Sequence, residues 1–317
     1  MRLDRRLLGA GLLLLIAGIA IFIFTRGSQE RGVKFEEEPE ISVYFHDTQT
    51  QKSMPLEEYL VGVVAGEMEK DWPLEAYGAQ AIVARSFTLE FLSRGGTREE
   101  HDTDICTDEK HAQAYNAEAV TSEIRQAVEM TRGQIMTYGG DYVKGWFSAS
   151  CGGKTAPAVV GLGYEEEEPA YITSVDCPEE GTIPEEKLFW TADFSREELA
   201  AILAQLGEYV GEVENVQAGE RHEESSRVSR LDFTGTEGQA GVKSAEFRTA
   251  AGPEKLRSIW ITDLDQNENG IVFKGRGFGH GVGLCQWGAH ALALEGKNPE
   301  QIVKHYYPRV EIEKAWD

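Results

Sequence analysis

An uncharged apolar run, Leu7 to Phe24 (LLGAGLLLLIAGIAIFIF), constrains this 317-residue chain more than any other feature. As a helix rising about 1.5 Å per residue it would be about 27 Å long, near the hydrocarbon thickness of a bilayer. Arg2, Arg5 and Arg6 precede it, offset only by Asp4. The positive-inside bias then keeps residues 1–6 in the cytoplasm and exports the rest. A cleaved signal peptide is the competing reading, but its apolar core would be shorter. Thr25-Arg26-Gly27 also offers no small-x-small cleavage site. The expectation is a single-pass anchor in the cell membrane over 7–24, a charged tether over 25–40, and an extracytoplasmic globular region over 41–313.

Charge narrows the partners. With 54 acidic against 31 basic residues the net charge is -23. Such a chain lacks the basic footprint a nucleic-acid binder needs to release counterions, and charge cannot dock it on anionic lipid. Four cysteines are too few for a disulfide scaffold. Cys151 and Cys177 read either as a disulfide or as two free thiols.

Patterning in the exported part predicts an α+β fold. Ile41–Phe45 alternates as a strand should, and a helix follows with Ser53 as N-cap and Pro55 in its first turn. A longer helix runs from after Pro73 to about Arg94, ended by Gly95-Gly96. A polar loop (97–115), a helix over 118–130 and strands near 135–138 and 142–148 come next. Residues 190–255 read as a small inserted α+β unit, with a helix at 195–206 and strands near 228–233 and 242–247. Strand signals return at 258–262 and 270–274. Two helices close the chain, the second starting at the cap pair Asn298-Pro299.

Three groups of residues could carry chemistry. Gly275-Arg-Gly-Phe-Gly-His280-Gly-Val-Gly-Leu-Cys285-Gln286-Trp287-Gly288 places glycines at alternate positions, which lets backbone approach a ligand closely. His280 sits at its centre. The spacing fits neither a dinucleotide fingerprint nor a phosphate loop, and a tight structural turn is the alternative. Glu67, between Gly66 and Met68, ends an apolar helix. Partial desolvation there would raise its pKa toward the general-acid range, whereas full solvation would leave an ordinary surface charge. His101-x4-Cys106-x4-His111 offers three of the four ligands that a structural Zn²⁺ wants, with Asp102, Asp104 or Asp108 near enough in sequence to add an oxygen.

Taken in order, these segments resemble the stage II sporulation protein D family of peptidoglycan lytic transglycosylases. The marks are Met54–Met68, Ala79-Gln80-Ala81-Ile-Val-Ala-Arg85-Ser86, Cys106–Tyr115, Ser148-Ala-Ser-Cys151-Gly152-Gly153-Lys-Thr155, and Gly275–Ala289 with His305–Pro308. The resemblance implies cleavage between MurNAc and GlcNAc of glycan strands stripped of stem peptides, with Glu67 as the catalytic acid/base. It implies action in forespore engulfment beside the stage II sporulation proteins P and M. Candidate groove residues are Gln80, Arg85, Ser148, His280 and Gln286. The family's Cys-x4-His-Cys zinc pattern is interrupted by Ala112, which leaves His101, Cys106 and His111 for a structural zinc; catalysis needs no cofactor. The rival readings are a non-catalytic glycan-binding or amidase-enhancing module, a two-carboxylate hydrolase recruiting Asp71 or Glu75, and a zinc hydrolase.

Overall fold

The computed structural model describes residues 34–317. The expected cytoplasmic stretch 1–6, the anchor 7–24 and the first part of the tether lie outside the described residues. Among the described residues no helix is long and apolar enough to cross a membrane.

The fold is mixed α and β, built on several small sheets. Strand β1 (Glu40–Phe45) pairs antiparallel with β2 (Thr50–Pro55), Ser42 opposite Ser53. Ser53 is therefore strand, not the expected N-cap. Pro55 ends the hairpin and itself occupies the cap position of α1 (Leu56–Glu67). Because proline offers no capping side chain, Glu38 accepts the Glu57 N–H at 2.8 Å from outside the helix. Residues 35 and 38 of the expected tether are thus held against the fold. The Phe35 N–H donates to the Ala315 carbonyl at 2.8 Å, and its ring meets Trp316 edge-on.

Helix α2 (Leu74–Ser93) is the axis of the main core and packs against α1, α3 (Ser122–Met130), α6 (Gln286–Leu294), α7 (Pro299–Tyr306) and β4 (Gln134–Tyr138). Burial on several sides explains why its apolar residues follow no single stripe. Strand β3 (Ile105–Cys106) joins β1 in parallel. Strand β4 (Gln134–Tyr138) lies between β5 (Asp141–Tyr142) and the C-terminal β14 (Glu311–Lys314). Strand β6 (Phe147–Ser148) runs parallel to β13 (Leu284–Cys285), which leads directly into α6 (Gln286–Leu294) and then α7 (Pro299–Tyr306). Asn298 and Gln301 close a capping box on α7.

A second hydrophobic cluster has its own members, from Trp190 to Phe273. It is built on two three-stranded sheets. One orders β11 (Ile261–Asn267), β12 (Gly270–Arg276) and β7 (Phe189–Ser195). The other orders β10 (Gly238–Lys243), β9 (Arg230–Gly235) and β8 (Val213–Ala218). Two helices complete it: α4 (Arg196–Gln205), capped by a Ser195–Glu198 box, and α5 (Ser244–Ala251). The strand expected over 242–247 ends at Lys243. From Ser244 the chain turns into α5, where Ser244 and Phe247, three residues apart, are both buried. The unit's sheets also extend well past residue 255, because β12 pairs along its whole length with β7.

Candidate active site

Glu67 is the last residue of α1, and two glycines on that helix decide its surroundings. A Cβ at Gly62 would stand 2.1 Å from the Tyr115 ring, and one at Gly66 would stand 2.8 Å from the Ala114–Tyr115 peptide. Without those side chains, loop 113–116 lies directly on the helix. The Asn116 N–H donates to the Gly62 carbonyl at 2.9 Å, and the Ala114 N–H donates to Glu67 Oε1 at 2.7 Å. Gln113, buried beneath, donates to Thr88 Oγ1 at 2.9 Å and pins the loop to α2.

The Glu67 carboxyl opens into a cleft of about 270 Å³. Trp72, Trp287, Phe278 and Ile183 form apolar walls, with Ala149, Ser150 and Gln286 on the floor and Glu69, Lys187 and Arg257 at the rim. Trp72 meets Trp287 edge-on at 4.8 Å and stacks on His290 at 4.7 Å. Lys187 Nζ lies 5.5 Å over the Trp287 ring and pairs with Glu69. Arg257 covers Phe278 at 5.5 Å. Desolvation by these surroundings pushes Glu67 up to about 7, against the opposing pull of the Ala114 N–H and the neighbouring Gln286 amide. Gln286 Nε2, buried at the cleft lining, has no hydrogen-bond partner among the described residues. Such a carboxyl can hold a proton near neutral pH and give it up.

The glycine-rich turn builds the floor. Phe278 and Ser150 exchange backbone hydrogen bonds at 2.8 and 3.0 Å, and the Trp287 N–H donates to the Ala149 carbonyl at 3.1 Å. Gly281, at φ 73°, stands where a Cβ would fall 2.0 Å from the Arg227 guanidinium. A side chain is excluded there by both conformation and space.

The expected groove residues divide sharply. Gln286 lines the cleft. Arg85 does not: it is fully buried and bidentate to Glu57, at 2.6 and 3.1 Å, in the first turn of α1. Its remaining N–H group donates to the Gln134 carbonyl at 2.9 Å. It therefore braces the far end of the helix that carries Glu67, with no open donor for a sugar. Gln80 is likewise enclosed in the core on α2. Ser148 is buried under Gly279, and Ser150, two residues on, reaches the cleft in its place. His280 lies outside the cleft lining; burial, with Arg248 and Arg227 near it, pushes it down to about 3. Its Nδ1 accepts the Val282 N–H at 3.0 Å, so it is a neutral ring that shapes the turn. Asp71 and Glu75 do not line the cleft either.

Trp72, Ser150, Lys187, Arg257 and Phe278 are the cleft residues that sequence reasoning missed. Ser150 and Phe278 lie inside recognised motifs, and Trp72 lies four residues past one. Lys187 and Arg257 carry no local signal and arrive through the second unit.

His101, Cys106 and His111 do converge, their ligand atoms lying within 4.8 Å of one another. His101 Nε2 is 3.4 Å from His111 Nδ1, close to the edge of a tetrahedron with about 2.0 Å metal–nitrogen bonds. The three fit a zinc ion and leave one position for a fourth ligand.

The family described as Stage II sporulation protein matches residues 44–138, which hold Glu67 and loop 106–115. A domain of unknown function (DUF8618) matches residues 178–283. An uncharacterized protein of Brachyspira hyodysenteriae is 32% identical over 258 residues, 81% of this chain and 66% of that protein. Stage II sporulation protein D of Bacillus subtilis is 29% identical over 294 residues, 87% of this chain and 79% of that one. The amidase enhancer of Bacillus subtilis is 24% identical over 298 residues, 78% of this chain and 39% of that protein. With the motifs in order along the chain, it belongs to the stage II sporulation protein D family.

Proposed function

We propose that this protein is a lytic transglycosylase of the sporulating cell wall, with Glu67 as its acid/base. One observation carries the reading: a carboxyl pushed up to about 7 opens into an aromatic-walled cleft beside an unpartnered glutamine amide. The Trp72, Trp287 and Phe278 rings suit the apolar faces of sugars, and Gln286 suits their hydroxyls. Protonated Glu67 gives its proton to the glycosidic oxygen between MurNAc and GlcNAc as the C1–O bond breaks. The MurNAc 6-hydroxyl then attacks C1, and the Glu67 carboxylate takes the hydroxyl proton. The products are a GlcNAc end and a 1,6-anhydro-MurNAc end, and Glu67 is again protonated. Neither water nor a second carboxylate takes part, unlike the two-carboxylate glycosidases. Glu69, the other carboxylate of the lining, is solvent-facing and paired with Lys187.

The relatives' names support a sporulation role at the cell wall. In this reading residues 7–24 anchor the chain to the membrane and the catalytic region acts outside it, on stem-free glycan, with the stage II sporulation proteins P and M as partners. A zinc held by His101, Cys106 and His111 would pin loop 106–115, whose Ala114 N–H holds Glu67; its chemistry would be structural. The likeness to an amidase enhancer favours a second reading, a non-catalytic glycan-binding module.

Mass spectrometry of denuded glycan strands treated with the protein and with Glu67→Gln separates these. Anhydro-ended fragments from the wild type alone are expected. Hydrated ends would point to a hydrolase, and binding without cleavage by both proteins would refute the enzyme.

A further inference from the structure

Beneath the cleft floor lies a cluster of side chains that the proposed reaction does not use. The sulfurs of Cys151, Cys177 and Cys285 and the carboxylate of Glu179 all lie within 4.8 Å of one another, and all four residues are buried. They come from three separate segments. Cys151 follows β6, Cys177 and Glu179 belong to the loop before β7, and Cys285 caps α6.

The spacing is that of a coordination shell. Cys285 Sγ is 3.1 Å from Glu179 Oε2, and Cys151 Sγ is 3.5 Å from Glu179 Oε1. A tetrahedral ion with bonds of about 2.3 Å to sulfur and about 2.0 Å to oxygen sets its ligands about 3.5 to 3.8 Å apart. Backbone donors already face these atoms. The N–H groups of Cys151 and Gly288 point at Cys285 Sγ from 3.3 and 3.4 Å, and the Gly153 N–H donates to Glu179 Oε1 at 2.5 Å. The Tyr306 hydroxyl lies 3.2 Å from Cys177 Sγ. Donors of this kind are the outer shell that steadies metal-bound thiolates. Helix α6 also makes room: a Cβ at Gly288 would stand 2.3 Å from Cys177 Sγ.

As a thiol cluster the arrangement gives Glu179 hydrogen bonds from two thiols and the Gly153 N–H, but no ion pair among the described residues. Glu179 is 0% exposed, and a carboxylate so placed is costly without a cation. Arg227, close enough to feel the Glu179 charge, gives its guanidinium to the Cys151 and Lys154 carbonyls, at 2.7 and 2.9 Å. A disulfide between any two of the sulfurs would leave the third beside that carboxylate.

We propose that Cys151, Cys177, Cys285 and Glu179 form a four-ligand structural Zn²⁺ site, distinct from the His101/Cys106/His111 group. Binding replaces three thiol protons, released to solvent, with one divalent ion, and Arg227 balances part of the remaining negative charge. With all four positions filled by protein the ion has no open coordination position for substrate. Its effect is mechanical: it ties together the segments that present Ser150, Ile183 and Gln286 to the cleft. The proposal does not depend on the reaction assigned to Glu67.

The test uses the full chain in detergent, reduced and stripped of metal, carrying H101A, C106S and H111A so that only the buried cluster can supply thiolates. Cobalt(II) titration should reach about one ion per chain, with a thiolate-to-cobalt charge-transfer band of three-thiolate intensity. Adding C177S should remove about a third of that intensity. Glu179→Gln, close in volume, should weaken zinc binding at least tenfold while the far-ultraviolet circular dichroism stays unchanged. A triple variant folded by that criterion that binds no cobalt would overturn the site. So would finding two of the three sulfurs disulfide-bonded in protein alkylated at cell lysis.

Discussion

Removing the charge on Glu67 is expected to stabilise the folded chain, and by an amount that depends on pH. In the folded state its carboxyl is pushed up to about 7 from an ordinary 4.5, chiefly by desolvation. A folded-state pKa above the unfolded one means that folding holds the proton more tightly. Below about pH 4.5 both states are protonated and nothing is lost. Between about 4.5 and 7 the unfolded chain ionises while the folded one does not. Stability therefore falls as pH rises through that window, at up to about 1.4 kcal/mol per pH unit. Above it the loss is complete at about 3 kcal/mol. The side-chain amide of the Glu67→Gln variant is neutral throughout and can still accept the Ala114 N–H. The variant should therefore melt with the wild type at pH 4 and above it at pH 8, by about 6 to 12 °C for about 2 to 4 °C per kcal/mol. Paired thermal melts by circular dichroism at pH 4, 5.5, 7 and 8 measure this, since all other titrations cancel in the difference. A gap that stays constant with pH, or a wild type more stable at pH 8, would refute the desolvated carboxyl.

The same group sets the pH profile of cleavage. An acid that must begin protonated makes kcat/KM fall tenfold per pH unit above about 7, and Glu67→Gln should leave no such limb to measure. Arg85→Leu strands the Glu57 carboxylate in the core and should cost about 3 to 5 kcal/mol in denaturant unfolding. Arg125→Ala breaks only the exposed pair with Glu58 and should cost at most about 1 kcal/mol, so equal costs would argue against the bracing role of Arg85.

Much of the local structure could be read from the residues themselves. Asn298-Pro299 and Ser195–Glu198 announce helix starts because capping satisfies backbone groups within four residues of chain. Helix α2 was legible from its length and apolar content, and Glu67 from its place at the end of an apolar helix. Ser53 and Val242–Phe247 were not. The first is a strand only because β1 pairs with it, and the second turns helical from Ser244, where Ser244 and Phe247, three residues apart, are both buried. Polar side chains were the least legible. Arg85 and Gln286 look equally suited to a groove, and nothing in their neighbours says that Arg85 meets Glu57 from another helix while Gln286 lines the cleft.

Sequence alone thus determined the local elements, the order of the motifs and the type of acid at position 67. Tertiary structure decided which side chains share a space. The cleft draws Trp72, Ser150, Lys187, Arg257 and Trp287 from five stretches of chain, and the sulfur cluster draws three cysteines spread over residues 151 to 285. Capping and periodicity act over one or two helical turns, whereas desolvation and ligand convergence depend on distances in space that no spacing along the chain encodes.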